Sequence, residues 1–331
     1  MIYKSNTIKT LTAIRYSLLL MTALCFSITA TAAELRVVSG NGEAGFVDGT
    51  DARFNKPIRL APFGPGRILV ADINNHAVRV VGIDGMVKTL AGGPDKQGHQ
   101  DGPADIARFN SPHGVALSND GSIIVAGASS HTVRLLSRDA DSSYQVSTLA
   151  GMAGQSGYRD GPASQALFNS PHAVVAEADG GVLIVDIGNA CIRRVKDGVV
   201  TTVAKADTEN IGMPIDLMAA GDGSYLIADA GSQKALRWVP GEVARTISPE
   251  TELAMPHGVA GDSDGNTYVA EIRGHQVTRL ADGKESVRVA GTGVSGLNQD
   301  QLNKPAAVLV HDGFLWIADL NNHRISILPL K

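Results

Sequence analysis

The stretch Asn110-Ser-Pro-His-Gly-Val-Ala-Leu117 returns as Asn169-Ser-Pro-His-Ala-Val-Val-Ala176, and in shorter form as Met255-Pro-His-Gly-Val-Ala260. A proline followed by an apolar run opens a strand, and its recurrence marks a repeated unit. Aligned on that proline, the chain contains six such units, beginning at Pro57, Pro112, Pro171, Pro214, Pro256 and Pro305. The intervals of 55, 59, 43, 42 and 49 residues are those of a four-stranded propeller blade.

Inside each unit the first apolar run ends at an Asp- or Asn-containing Gly turn: Asn119-Asp-Gly121, Asp179-Gly-Gly181, Asp222-Gly223, Asp264-Gly265 and Asp312-Gly313. Such turns need positive φ, which Gly, Asn and Asp accept most readily, so they read as hairpin connections. A second run follows, as in Ile68-Leu-Val-Ala-Asp72 and Trp316-Ile-Ala-Asp319, then a third and a fourth. No sustained helical period appears, so the fold class is all-β, a six-bladed β-propeller. The last unit stops after its third strand, while an unmatched strand over Leu35–Ser39 precedes the first. That strand is expected to complete the last blade, closing the ring and protecting its edge.

The first residues are set apart. Lys4, Lys9 and Arg15 precede an apolar run ending in Ala30-Thr-Ala-Ala33, the form of a secretory signal peptide over residues 1–33. The run is shorter than the roughly 20 residues that span a bilayer. Residues 34–331 then form a single domain, expected in the periplasm or secreted, without a membrane span and as a monomer. Cleavage takes the formal net charge from −4 to −7, because three bases and no acids leave. No basic patch argues for nucleic acid. Cys25 leaves with the signal, so no internal disulfide is available to Cys191.

Asp72-Ile-Asn-Asn-His76-Ala-Val-Arg79 and Asp319-Leu-Asn-Asn-His323-Arg-Ile325 resemble the signatures of NHL repeats, and the pattern covers essentially all of residues 34–331. Three inter-blade loops repeat as well: Asp48-Gly49 leading to Arg53-Phe54-Asn55, Asp101-Gly102 to Arg108-Phe109-Asn110, and Asp160-Gly161 to Leu167-Phe168-Asn169. The resemblance is specific for fold and says little of activity.

The histidines sort by position. His76, His131, His275 and His323 fall in the turn between second and third strands and are assigned to turn chemistry, with Asp72 and Asp319 accepting turn hydrogen bonds. His99 and His311 carry no signal. His113, His172 and His257 follow the prolines, at the start of innermost strands that surround the central channel. Three imidazoles meeting there form a zinc-type constellation. The next residues of units one and four, Arg59 and Asp216, would add a cation and a carboxylate at the same mouth.

The Pro-His arrangement is similar to that of peptidyl-α-hydroxyglycine α-amidating lyase, a six-bladed propeller with three zinc-binding histidines on innermost strands. Streptogramin-inactivating lyases carry Pro-His-Gly motifs as well. The resemblance implies zinc held by His113, His172 and His257. It departs in placing them on blades two, three and five rather than alternate blades, and no tyrosine here matches the lyase's catalytic one.

Cys191 replaces a small turn residue and reads as an inert buried thiol. The Asp-Gly pairs read as turns rather than calcium ligands. Tyr158, Arg159, His99 and Gln100 sit in loops on the channel-mouth face. Two readings follow: a module binding a peptide, glycan or protein through its loop face, or a metal-dependent lyase or hydrolase with Arg59 steadying an anion and Asp216 as base.

Overall fold

A computed structural model describes residues 34–139, 141–206, 208–281 and 284–330. The leader expected over residues 1–33 lies outside the described residues. Apart from three single-turn 3₁₀ segments, the regular elements are strands, which form six small antiparallel sheets joined by turns and loops. Blade 1 comprises Pro57–Pro62, Arg67–Asp72, Ala77–Gly82 and Val87–Gly92, numbered from the channel outward. Blades 2 to 5 repeat this order from Pro112–Leu117, Pro171–Ala176, Pro214–Ala219 and Pro256–Gly261. In blade 6, Pro305–His311, Phe314–Asp319 and Arg324–Pro329 are completed by Arg36–Ser39. The N-terminal strand thus closes the ring as its sequence predicts, and the innermost strands of blades 1 and 6 adjoin. No helix of the described residues is long and apolar enough to cross a membrane.

Apolar residues from facing blades fill the seams. Leu69, Val78, Phe109, Val115 and Val125 pack between blades 1 and 2, and Leu60, Val70, Trp316 and Ile327 between blades 6 and 1. Strands with both faces against neighbouring blades must be apolar throughout, which explains runs such as Ile68-Leu-Val-Ala71, all without solvent exposure.

The repeated polar residues fasten this stack. Asp72 accepts from the Asn55 amide at 2.8 Å through Oδ1 and from Asn75 Nδ2 at 2.7 Å through Oδ2, and Asp186 and Asp319 do the same in blades 3 and 6. Each therefore ties the incoming loop to its blade as well as holding the turn. The signature histidines reach further than turn chemistry. His76 Nδ1 accepts from the Ser111 amide, His131 from Ser170, His275 from Lys304 and His323 from Lys56, at 3.1–3.3 Å. Every acceptor belongs to one blade and every donor to the next. The donor residues are held at positive φ just before the conserved-position proline of this repeat: Lys56 at 62°, Ser111 at 52°, Ser170 at 58° and Lys304 at 55°. Blade 3 has Ala190 and blade 4 has Gln233 in place of the histidine, so the two seams flanking blade 4 lack this latch.

Candidate functional site

The six prolines each pair with the end of the second strand, and the register slips immediately afterwards. Pro57 faces Asp72 but Arg59 faces Ala71, and equivalent slips follow Pro112, Pro171, Pro214, Pro256 and Pro305. A β-bulge inserts one extra residue and re-aims its side chain. His113 and His257 are the inserted residues of their strands, and His172 lies within the same irregularity of blade 3. Bulging explains why one sequence position meets its equivalents across the channel.

His113 and His172 stack with ring centroids 3.7 Å apart and planes 18° from parallel. His257 approaches His113 at 6.0 Å, tilted by 37°. His257 Nδ1 faces the Ala306 carbonyl at 2.8 Å, whereas Nδ1 of His113 and of His172 are buried without a partner. The glycines of the Pro-His-Gly motif make this packing possible. A Cβ on Gly114 would collide with the His172 carbonyl oxygen, and one on Gly258 would stand 2.6 Å from Ala307 Cα.

Burial dominates the electrostatics. It holds the His172 imidazolium down to about 3, helped by the charges of His257 and Arg59, and His257 down to about 4, helped by Arg59. His113 is held well below the usual histidine range by burial and by its neighbours. All three imidazoles are therefore neutral at pH 7.

One residue further along, Arg59 of blade 1 and Asp216 of blade 4 pair directly across the channel between diametrically opposite blades. They are 4% and 5% exposed. Both oxygens of Asp216 are engaged: Oδ1 accepts from the Leu217 amide at 2.8 Å and Oδ2 from the Val259 amide at 3.0 Å in addition to Arg59. Burial raises the Asp216 carboxyl while Arg59 opposes the rise. Arg59 donates to the Ile215 carbonyl, but its Nε is buried without a partner.

The channel thus has two unlike halves. At the end facing the inter-blade loops, the histidines form a plug. Beyond Arg59 and Asp216, the later residues of all six innermost strands surround a cavity of about 250 Å³. Leu117, Val175, Met218 and Val310 line it, with the ion pair as its polar element.

The donor set suits zinc, since neutral imidazoles with free nitrogens are its usual ligands. The present arrangement does not fit a shared ion. A metal lies in the plane of each imidazole it binds, and two rings stacked with centroids 3.7 Å apart and planes only 18° from parallel do not direct their nitrogens to a common point. As the side chains stand, no group of three or more histidine, cysteine or carboxylate residues among the described residues is disposed to hold a metal.

The loop residues singled out in the sequence are turned to the periphery. Tyr158 Oη bonds Thr202 Oγ1 at 2.8 Å, His99 Nε2 faces Thr148 Oγ1 at 3.0 Å, and the Gln100 carbonyl accepts from Arg134. Arg159 closes its own loop onto the Gln165 carbonyl at 2.7 Å. The glycines of the loop Asp-Gly pairs, expected to be turns, instead pair with the outer strands of their blades. Gly49 bridges Val87, while Gly102–Pro103 and Gly161–Pro162 pair with the outer strands of blades 2 and 3. Asp48, Asp101 and Asp160 accept the amides of Thr89, Thr148 and Thr202, and pair with the buried Arg79, Arg134 and Arg193. The triplicated Asp-Gly…Phe-Asn pattern carried that signal; the arginine partners, a strand and a loop away, did not stand out. Cys191 is buried and its thiol is pushed up to about 12, chiefly by burial, which makes it inert.

No family model matches the chain. Human NHL repeat-containing protein 2 is 26% identical to it over 332 residues, covering 80% of this chain and 45% of that protein. That similarity agrees with the six-bladed ring and its signature histidines in supporting an NHL-repeat β-propeller. The chain is an NHL-repeat β-propeller. This NHL propeller spans less than half the length of the curated relatives it matches. Among solved structures, an auxiliary nutrient binding protein from Bacteroides thetaiotaomicron superposes with a TM-score of 0.67 at 12% identity, over 89% of this chain and 75% of that one. Virginiamycin B lyase from Staphylococcus aureus superposes with a TM-score of 0.58 at 13% identity, over 86% and 98%. At these identities the likeness concerns the fold of the NHL propeller alone.

Proposed function

We propose that this chain is a periplasmic or secreted binding propeller whose channel takes a small ligand. The channel cavity carries the reading: apolar walls from six strands enclose one buried ion pair, the pattern of few polar groups in an apolar pocket that orients ligands. Arg59 Nε, buried and unpartnered beside it, is a donor in need of an acceptor such as a carbonyl or carboxylate oxygen. The loop face, with its loops pinned to the outer strands, is left for a larger partner, a peptide, glycan or protein. A fold neighbour described as a nutrient binding protein is consistent with a binding role outside the cytoplasm.

The reading is tested by screening small carboxylates and carbonyl compounds for thermal stabilisation of residues 34–331, beside a Leu117→Trp variant that fills the cavity. Ligands that stabilise the parent and not the variant support it. Hits that stabilise both equally, or no hits at all, count against it.

A second reading makes the same residues a zinc-dependent lyase or hydrolase centre, with His113, His172 and His257 as ligands, Arg59 steadying an anion and Asp216 as base. Three neutral imidazoles with two unpartnered Nδ1 atoms favour it. It requires the His113–His172 stack to open, and Asp216 to give up bonds at both oxygens before accepting a proton.

A further inference from the structure

A second cavity lies away from the channel, in the seam between blades 1 and 2 at the face opposite the inter-blade loops. It measures about 670 Å³, within the range of roughly 300–1,000 Å³ typical of small-molecule sites. Its floor is apolar, from Phe63, Val80, Leu90 and Tyr144, several of which pack onto the blade 1–2 core. Arg67, Lys88 and Arg138 stand around it and are exposed. A further cavity of about 510 Å³ shares Thr89, Leu90 and Tyr144 and extends the groove along the outer strand of blade 1.

The cations here are treated unlike those of the other blades. At the corresponding hairpin of blade 3, Glu177 and Asp179 neutralise Arg194 and Lys196, and in blade 4 Asp222 pairs with Arg237. Blade 1 has Phe63 and Pro65 where blade 3 has those two acids. Arg67 lies over the Phe63 ring at 5.6 Å, and Arg138 over the Tyr144 ring at 5.0 Å. Neither they nor Lys88 has a carboxylate partner among the described residues. The carboxylate in the groove, Asp84, accepts from the Met86 amide of its own turn. With Phe63 and Pro65 in place of the two acids, and Val80 and Gly82 in place of Arg194 and Lys196, the blade 1 hairpin presents an apolar floor, and Arg67, Lys88 and Arg138 reach its rim from other positions.

The geometry points to this groove as a binding site for a small amphiphilic carboxylate, its apolar body on Leu90, Phe63 and Tyr144 and its anionic head among Arg67, Lys88 and Arg138. An anion is favoured by the unpaired cations, and an apolar body by the aromatic floor, which would otherwise face water.

Calorimetry with decanoate as the probe, on residues 34–331 at low and moderate salt, tests this. The parent is expected to bind one decanoate, more weakly at higher salt, with decyltrimethylammonium at least tenfold weaker. Arg67→Ser/Arg138→Ser should weaken decanoate at least tenfold. Met86→Glu, which sets a carboxylate at the exposed rim, should weaken it without touching the cations. Leu117→Trp should leave it unchanged, separating this site from the channel. Equal binding of the cationic amphiphile, undiminished binding in both groove variants, loss of binding in Leu117→Trp, or no binding by the parent at millimolar decanoate would each overturn the assignment.

Discussion

Replacing Asp216 by Asn removes the carboxylate that faces Arg59 and keeps one oxygen for either the Leu217 or the Val259 amide, leaving the other amide against an NH2 group. With both members of the pair about 5% exposed, the guanidinium is left in the channel without a counter-charge and cannot recover water. Breaking a buried pair from one side costs about 3–5 kcal/mol, far above the ~1 kcal/mol of a surface pair. Arg59→Met should cost a similar amount by stranding Asp216. The double variant strands neither charge, so its cost should fall well short of the sum, with a coupling on the order of 2–3 kcal/mol. Urea unfolding at pH 7, followed by tryptophan fluorescence from the buried Trp238 and Trp316, measures all three against the parent with the denaturant slope as a check on two-state behaviour. Asp216→Asn within about 1 kcal/mol of the parent, or additive losses, would refute the argument that an ionised pair braces blades 1 and 4.

Three further outcomes are expected. His76→Ala and His323→Ala each remove one inter-blade hydrogen bond and should cost about 0.5–1.5 kcal/mol, with faster amide exchange at Ser111 and Lys56 respectively and little change at the seams of blade 4. The folded-state pKa values of His113, His172 and His257 lie below the unfolded value of about 6.5, so the unfolded chain takes up protons that the native chain refuses. Stability is therefore complete above about pH 6.5 and is lost as pH falls toward 4, by on the order of 2 kcal/mol each for His172 and His257 at pH 5, with His113 acting in the same direction; a urea midpoint equal at pH 7.5 and 5.0 would contradict this. Gly258→Ala forces a methyl to within 2.6 Å of Ala307 Cα and should cost about 1–3 kcal/mol in thermal unfolding, with parent-like stability as the contrary result.

The ring itself was legible because the blades repeat one linear pattern with few departures: proline, apolar run, Gly-containing turn and a second apolar run, which ends in Asp in four of the six. Strand identity, blade count and closure by Arg36–Ser39 all follow from that periodicity. So did the meeting of His113, His172 and His257, since equivalent residues of innermost strands must face one axis. The ring orientation at that axis was not legible. It depends on the bulge after each proline and on the close approach allowed by Gly114 and Gly258, neither of which is encoded by spacing alone. The Arg59–Asp216 bridge appeared in the sequence as two groups at one mouth; that they satisfy each other follows only from blades 1 and 4 being opposite. The latches escaped notice because donor and acceptor lie 29 to 39 residues apart, or 267 across the ring closure, in different blades.

Zinc content distinguishes most directly between a binding channel and a metal centre. Plasma mass spectrometry on untagged protein, after zinc addition and dialysis, is read beside His113→Ala/His172→Ala/His257→Ala, with circular dichroism confirming that the variant is folded. The stacked, neutral imidazoles beside a guanidinium predict far less than one zinc per chain in both proteins. About one zinc per chain in the parent and none in the folded variant would contradict the binding-channel account and make the histidines a metal site.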